Sequence, residues 1–348
     1  MPQGSSSKSW YIRATHCPTT LCPRPLMKPI ARYFVATFSA AAVLTPLFAV
    51  EEAHACQACG CGDVNFQMQP NDPRAHTLHV AMNAASRGER YGTGYPWSFH
   101  EWRADLNLGW SYERTSVTLR LPWLWRSVHY EGMQTEKTSG PGDVEIAASY
   151  QLTPLPDPEN VARSAGRARG WQAAVHLGLS MPTARLMVED TGQPMMDDVQ
   201  SGTGSFMPFA GVTWAVGLNG FRIDGRHTAY IPAPGRFWFQ VGPTLQQSVG
   251  ITAEPLDQFR FGTRFYTSLA APITVDGARE DDTGGFAGYI DLEAEIQPHQ
   301  QVTFVVGGRF PVIQRLRGDH RAEMGGYFGV RFQQAIRKRS TPEEPLIL

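Results

Sequence analysis

The chain has 348 residues, a formal net charge of −1 and a mean hydropathy of −0.28. The near-zero charge provides no long-range field for nucleic acid or for an anionic surface, and the negative hydropathy excludes a bundle of membrane helices. Nine Trp, 18 Phe and 11 Tyr accompany 34 Gly. Two all-β classes remain: a soluble domain, or a membrane barrel whose polar lumen offsets its lipid-facing side chains.

The N-terminal region has the order of an export signal. A basic segment begins at Met27, an uncharged apolar run follows over 33–50, and an Ala-x-Ala tripeptide ends at Ala55. This order is typical of a secretory signal, so we predict a cleaved signal peptide over 27–55. We expect 1–26 to be either untranslated or removed with the signal. An uncleaved membrane anchor is the alternative, because the apolar run is almost long enough to span a bilayer.

Three cysteines follow the predicted cleavage site in C-x-x-C-x-C spacing. Thiolates at this spacing can hold Zn²⁺ or Cu⁺, and a nearby imidazole or carboxylate can complete the site. The candidate metal ligands are Cys56, Cys59 and Cys61, with His76, His79 or Asp63 as the fourth. Two of the thiols could instead form a disulfide in an oxidising compartment, and the first cysteine could be lipidated. The Cys-rich segment 56–75 is too polar and irregular for a strand, and it could fold into a barrel mouth as a plug.

The segment 100–132 shows the clearest strand pattern in the chain. From 104 to 112 every second residue is apolar, and the alternation resumes over 116–121 after the polar triplet 113–115. A period of two places apolar residues on one face of a strand and polar residues on the other. Membrane-spanning strands need about 9–11 residues, against about 5–6 for strands of soluble sheets. We therefore interpret this segment as a hairpin of two membrane-length strands.

Further segments bring the number of predicted strands to twelve. In chain order they lie at 77–85, 103–112, 116–121, 143–152, 171–181, 205–216, 221–230, 236–249, 258–270, 290–296, 301–310 and 323–332. Aromatic residues near strand ends favour a membrane barrel, and Trp123 and Trp125 are candidates for its outer aromatic girdle. The aromatic residues near strand ends are Trp97, Trp102, Trp123, Trp125, Trp171 and Tyr230.

The connections between these strands alternate in length. Short connections are predicted at 113–115, 217–220, 253–257 and 297–300, and longer ones rich in Gly, Pro and charge at 87–96, 131–141, 182–202 and 272–284. The connection 153–169 is long where a turn is expected. Alternating turns and loops are typical of outer-membrane barrels. We predict an all-β fold, a transmembrane antiparallel up-and-down barrel of about 12 strands over 76–333, with a polar tail at 334–348. A soluble sandwich is the alternative.

Charged residues of the predicted strands fall on the polar faces, which point into the lumen of a barrel. The candidate lumen-lining residues are Arg103, Asp105, Arg120, Asp143, Glu145, Arg236, Arg260, Arg264, Asp291, Glu293, Glu295, Arg309, Glu323 and Arg331. They could form a balanced network that fixes the register, or a polar constriction that selects solutes. A barrel of ~12 strands is narrower than aqueous porins, so we expect a narrow path.

The sequence has no pattern of a known hydrolytic site. The His-x-Ser pattern of barrel phospholipases is absent, as are G-x-S-x-G, H-E-x-x-H and a P-loop. His176 and Ser180 share a predicted lumen face, but ~13 Å of strand separates them. We therefore predict that the protein is not an enzyme.

Four stretches resemble known outer-membrane proteins. Glu323-x-Gly325-x-x-Phe328-x-Val330 resembles the signal that closes bacterial barrels. SGPGDVEIAASYQL, LGLSMPTARL and SGTGSFMPFAGVTWA resemble strand junctions of the outer-membrane transporters grouped with the meta-pathway of phenol degradation, which are distantly similar to long-chain fatty acid transporters. Ala184 replaces a usual Gly and Ser201 a usual Pro. The resemblance covers about 140–215 and implies import of hydrophobic or aromatic compounds.

These observations together predict an outer-membrane channel that passes small hydrophobic or aromatic solutes by diffusion. A barrel that uses its Cys-rich N-terminus to take up or deliver metal is the first alternative, and a structural barrel without transport is the second. The expected partners are outer-membrane lipid, the barrel-assembly machinery and the small solute, with no nucleic acid.

Overall fold

The computed structural model describes twelve ranges of the chain. They are 54–55, 75–91, 97–132, 135–153, 170–188, 200–218, 220–235, 239–256, 258–281, 283–299, 301–316 and 320–338. Every regular element within these ranges is a strand. None of the residues described forms a helix long and apolar enough to cross a membrane. His54–Ala55 pair with Gly284 and Gly285, and signal cleavage after Ala55 stays a prediction.

Twelve strands form one closed antiparallel barrel, which confirms the predicted fold. They are β1 (Ala75–Tyr91), β2 (Trp97–Tyr112), β3 (Thr115–Tyr130), β4 (Val144–Gln151), β5 (Gly170–Met181), β6 (Met207–Leu218), β7 (Phe221–Tyr230), β8 (Thr244–Leu256), β9 (Phe259–Ala270), β10 (Gly284–His299), β11 (Val302–Leu316) and β12 (Gly325–Lys338). Consecutive strands pair with each other, and β12 pairs with β1. The barrel therefore has no free edge, as lipid requires.

The predicted hairpin at 100–132 is confirmed and is longer than expected. The strands β2 and β3 pair without a bulge from Trp97 and Tyr130 to Tyr112 and Thr115. A two-residue turn joins them, and Glu113 adopts a φ of 50° there. A positive φ at the turn matches the right-handed twist of the two strands.

The two faces of the barrel wall differ sharply in chemistry. Large apolar side chains on the outer face are exposed, among them Met82, Leu108, Leu177 and Phe261. Charged side chains such as Glu89, Arg103 and Asp105 are buried on the inner face. Soluble monomers rarely expose large continuous apolar surfaces, whereas a barrel in lipid must do so. The soluble sandwich is therefore the wrong alternative.

The alternation of turns and loops is confirmed. Two residues separate β2 from β3, β8 from β9, and β10 from β11 at one end of the barrel. The intervals at the other end, 131–143 and 182–206, are longer, and the first contains the short strand Glu136–Pro141, which pairs with β3. The connection between β4 and β5 lies mostly outside the residues described.

The prediction for the eighth strand is wrong in its bounds. The strand was expected at 236–249, but β8 begins at Thr244 and continues to Leu256. Phe239–Gln240 belongs to a small separate sheet with Thr274–Val275 and Ala278–Arg279. Apolar alternation crosses a Gly-Pro pair at 242–243, and the proline has no N–H to donate to a barrel ladder.

The barrel wall is taller on one side than on the other. The strands β1–β3 and β10–β12 have 14 to 17 residues, and β4–β7 have 8 to 12. The predictions ended β1 at residue 85 and began β10 at 290, whereas the strands reach Tyr91 and Gly284. Polar residues near the strand ends therefore belong to the wall of the lumen.

The aromatic candidates divide into two groups. Trp102, Trp123, Trp125 and Trp171 are exposed on the outer face, in keeping with a girdle. Trp97 and Tyr230 point inward and do not belong to a girdle. Trp97 packs beside the buried Phe99–Val128 pair, and the ring of Tyr230 lies 5.1 Å from that of Phe209. Each of the two residues is an even number of positions from buried residues of its strand, and it therefore lies on the lumen face.

Candidate functional site in the barrel lumen

The lumen side of β2–β4 is joined by one ion-pair network. Asp105 is 5% exposed and lies 3.0 Å from the Arg103 Nε and 3.2 Å from the Arg120 Nε. Arg120 also lies 3.7 Å from Glu145 on β4. The charges alternate from strand to strand, so each buried carboxylate has a cation beside it.

The opposite wall carries a second set of ion pairs. Arg264 on β9 lies 2.9 Å from Asp224 on β7, and Glu295 on β10 lies 3.1 Å from Arg260 and 3.3 Å from Arg331. These pairs join β7 to β9, β9 to β10 and β10 to β12 along the inner face of the wall. Charge balance and fixed register follow from the same contacts.

Arg309 is the most constrained cation of the lumen. Its guanidinium donates two hydrogen bonds of 2.8 Å to Asp291, which is its direct partner on β10. The same guanidinium lies 4.4 Å from the ring centre of Tyr266 and 5.5 Å from that of Tyr289. A bidentate ion pair and two cation–π contacts hold one arginine, and that arginine orients two tyrosine rings.

A cavity of about 100 Å³ opens beside these rings. We call it the tyrosine–arginine cavity, and its defining residues are Tyr266, Tyr289, Tyr327, Arg87, Arg103 and Arg309. The hydroxyl of Tyr327 donates to Glu293 over 3.0 Å. Gly307 faces this ring directly across the β11–β12 pairing, and a Cβ at that position would lie 2.2 Å from it. The glycine therefore makes room for the tyrosine.

The long-loop end of the cavity is formed by a chain of charges around Phe99. Glu101 lies 2.9 Å from Arg87 and 2.7 Å from Arg126. The two guanidinium carbons are 5.5 and 5.8 Å from the centre of the Phe99 ring. One buried carboxylate thus connects the cavity wall at Arg87 with Arg126 on β3.

Asp143 ties three parts of the chain together just before β4, beside the middle of β3. Its carboxylate accepts from the Thr203 amide at 2.6 Å, the Thr203 hydroxyl at 2.8 Å and the Ala184 amide at 3.2 Å. Burial raises the pKa of the Asp143 carboxyl above its usual range, and the hydrogen bonds from Thr203 and Ala184 oppose that rise. Its place is thus a junction of loops just before β4.

Close packing at this junction explains its small residues. The Thr183 hydroxyl donates to the Gly142 carbonyl at 3.2 Å and accepts from the Val144 amide at 2.9 Å. A Cβ on Gly202 would lie 2.3 Å from that of Ala184. The three stretches that resemble transporter motifs therefore meet at one site, although they are up to 60 residues apart in sequence.

Residues 200–205 form a buried segment between this junction and the lumen. The side chains of Gln200 and Ser205 are completely buried. The Gln200 amide accepts from the Met187 N–H at 2.8 Å and donates to its carbonyl at 3.0 Å. The Arg126 guanidinium donates to the Gln200 backbone carbonyl. The segment is thus bonded on both sides.

The predicted lumen residues make several kinds of contact. Ten of them take part in lumen ion pairs: Arg103, Asp105, Arg120, Glu145, Arg260, Arg264, Asp291, Glu295, Arg309 and Arg331. Glu293 accepts from Tyr327. Glu323 precedes β12, lines the cavity and pairs with Arg90. Their role in solute passage stays a prediction, and Arg236 lies outside the residues described.

The predicted metal ligands of the N-terminus cannot be placed. Cys56, Cys59, Cys61 and Asp63 lie outside the described ranges. His79 is on β1, and its Nε2 is 2.9 Å from the Ser111 hydroxyl. The portion of the chain that is described contains no group of three or more His, Cys, Asp or Glu side chains suited to a metal ion.

Sequence reasoning missed several residues of the site. Among them are Arg87, Glu101, Arg126, Asp224, Tyr266 and Tyr289. Parity could have found Glu101, because it is two residues before Arg103 and therefore on the same strand face. The same rule could have found Arg126, because it is six residues after Arg120 and therefore on the lumen face of β3. No local sequence pattern indicates the contact of Arg126 with Gln200, because the two residues are 74 positions apart.

No family model matches the sequence, and no curated protein matches it. Among solved structures, an outer-membrane channel from Pseudomonas putida F1 superposes with a TM-score of 0.62 at 11% identity, over 78% of this chain and 100% of that chain. The two proteins share a fold. The transport unit of the Escherichia coli autotransporter AIDA-I reaches a TM-score of 0.45 at 10% identity, over 86% and 97% of the two chains. The CymD monoaromatic hydrocarbon channel reaches 0.38 at 9% identity, over 83% and 98%. At such scores these two barrels support no inference about this chain.

Proposed function

We propose that the protein is an outer-membrane channel through which small hydrophobic or aromatic solutes diffuse. The tyrosine–arginine cavity carries this proposal, because it is a solute-sized space inside a closed barrel. The exposed apolar outer face supports a place in lipid. The fold shared with the outer-membrane channel from Pseudomonas putida F1 is consistent with it.

Aromatic solutes suit this cavity better than aliphatic ones. The rings of Tyr266 and Tyr289 lie 5.9 Å apart and present a surface on which a planar ring can stack. The guanidinium of Arg309 adds a planar cation that aromatic faces attract. An aliphatic solute of equal size would bury the same polar groups without these contacts.

The proposed cellular location rests on the surface of the barrel and on the predicted signal peptide. A closed barrel with an apolar outer face belongs in a bilayer, and bacterial barrels with short turns at one end reside in the outer membrane. The predicted signal peptide over 27–55 would direct export. We therefore propose the bacterial outer membrane as its location, with membrane lipid and the barrel-assembly machinery as partners.

Uptake by proteoliposomes tests the proposed solute class. We expect benzamide to enter faster than cyclohexanecarboxamide, after the rate of protein-free vesicles is subtracted, because only the aromatic amide can stack. Tyr289→Ala should abolish the difference between the two solutes. Tyr150→Ala is the matched control, because Tyr150 is 47% exposed on the outer face. Equal rates for both amides in the native protein would contradict the aromatic preference, and no uptake of any solute would favour a barrel without transport.

The metal alternative remains a separate proposal for the N-terminal cysteines. C-x-x-C-x-C spacing suits Zn²⁺ or Cu⁺. Metal analysis and intact mass measurement on the purified mature chain would test it. Stoichiometric metal that is lost when Cys56, Cys59 and Cys61 are replaced by serine would support uptake or delivery. A closed disulfide without metal would contradict it.

A further inference from the structure

Residues 200–205 lie against the inner face of the tall barrel wall. A Cβ placed on Gly142 would be 3.1 Å from the Ser201 carbonyl oxygen, 3.1 Å from the Pro122 Cγ and 2.9 Å from a Leu124 methyl. Pro122 and Leu124 are on the lumen face of β3, together with Arg120 and Arg126. The Ser201 backbone is therefore inside the wall.

The segment is deep relative to the end of the β2–β3 hairpin. Pro122 pairs with Asp105, whereas the last pair of the hairpin is Trp97 with Tyr130. Eight residues of β3 separate the two levels, or about 26 Å of strand. Residues 200–205 therefore reach the level of Asp105 and its ion pairs with Arg103 and Arg120.

Two anchors hold the segment at this depth. Asp143 accepts three hydrogen bonds from Thr203 and Ala184 on one side. Arg126 donates to the Gln200 carbonyl on the other. A Cβ on Gly202 would lie 2.4 Å from the Asp143 carboxylate, so the backbone is packed directly on its anchor.

The anchors connect the segment with the tyrosine–arginine cavity. Arg126 pairs with Glu101, and Glu101 pairs with Arg87 in the cavity wall. A displaced segment would remove a partner from Arg126 and thereby loosen the side chains that border the cavity. The width of the lumen at this level therefore depends on the anchors.

We propose that residues 200–205 are the constriction segment of the channel, an inner wall fixed by Asp143 and Arg126 that sets the largest solute able to pass. This inference rests on the proposed channel function and adds the residues that determine its size limit. The buried hydrogen bonds on both sides indicate a fixed wall. Residues of the segment thus determine specificity by size, and the cavity determines it by chemistry.

Loss of one anchor tests the constriction segment. Asp143→Ala removes both carboxylate oxygens and with them all three hydrogen bonds, and Thr203→Val removes one hydroxyl donor while it keeps the backbone bond. Ser139→Ala is the matched control, because the Ser139 hydroxyl accepts a bond of 3.1 Å from Trp123, which is exposed on the outer face of β3. Folding of each variant is checked by heat-modifiable migration on a gel.

Two measurements give the outcome: single-channel conductance in KCl, and proteoliposome swelling with arabinose, sucrose and raffinose. We expect Asp143→Ala to raise the conductance and to lose the exclusion of a sugar that the native protein excludes. Thr203→Val should show a smaller change and Ser139→Ala none. If Asp143→Ala does not fold, Thr203→Val decides.

Three results would overturn parts of this account in distinguishable ways. A native channel whose folded anchor variants keep the same conductance and size limit contradicts the constriction segment alone. An equal change in Ser139→Ala also contradicts it. Silence of the native protein and of every variant contradicts the channel proposal, and the constriction segment with it.

Discussion

Asp105 shows how single residues keep charge inside this lumen. It is buried, and two arginines donate to its carboxylate. The pair Arg279–Asp281 has a similar distance of 2.9 Å, but both of its side chains are more than half exposed. Exposed pairs contribute little because water competes for both partners, whereas loss of the buried Asp105 carboxylate takes an ion pair from both Arg103 and Arg120 where water cannot readily replace it.

We therefore expect Asp105→Ala to lower the free energy of unfolding by about 3 kcal/mol. Urea titration of the protein in detergent micelles, followed by tryptophan fluorescence, measures the change. Asp281→Ala provides the control and should leave the midpoint where it is. Equal midpoints for the two variants would show that the lumen network does not stabilise the barrel.

Two glycines on adjacent strands, Gly307 on the lumen face of β11 and Gly326 on the outer face of β12, allow a second test at the same scale. A Cβ on Gly307 would lie 2.2 Å from the ring of Tyr327, whereas one on Gly326 would find its nearest atom 3.8 Å away. Gly307→Ala should displace the tyrosine, break its bond to Glu293 and cost about 1–3 kcal/mol.

Near-ultraviolet circular dichroism and the same urea titration measure this effect. Gly326→Ala, on the neighbouring strand, is the matched control and should behave as the native protein. A Gly307→Ala protein with a native spectrum and midpoint would contradict the packing described for Tyr327.

At the scale of elements, alternation with a period of two could be predicted for most strands. It failed at 236–249, because Phe237 and Phe239 continue the pattern of β8 although Pro243 interrupts the ladder. It also stopped short of the strand ends, where Glu101 and Arg126 fall. Charged residues near predicted loops do not look apolar or alternating, so a pattern based on hydrophobicity ends before the strand does.

The outward face of β5 gives the prediction at this scale. Leu177 is 64% exposed near the middle of the strand. Leu177→Arg should destabilise the barrel in lipid by about 2–4 kcal/mol, because a charge near the bilayer centre is costly.

Leu186→Arg is the control, because Leu186 is also exposed but follows the end of β5. Refolding yields in phospholipid vesicles compare the two variants. A normal yield for Leu177→Arg would mean that this face of β5 is not in contact with lipid.

At the scale of the whole molecule, the barrel and most of its charged lumen residues could be predicted, and the contacts of the long loop inside it could not. Strand number, loop parity and the two faces follow from local pattern, because each strand needs only its own alternation. The contact of Asp143 with Thr203 and that of Arg126 with Gln200 join residues 60 and 74 positions apart. Such contacts depend on how a long loop returns into the barrel, and no period in the sequence encodes that path.

The proposed channel function unites these scales, because it needs a fixed lumen network, a tyrosine-lined cavity and a closed barrel wall. Single-channel recording of the folded native protein in a planar bilayer tests it most directly, with heat-denatured protein as the control. The account predicts discrete conductance steps from the folded form alone. A folded, heat-modifiable barrel that inserts into the bilayer and never conducts would contradict it.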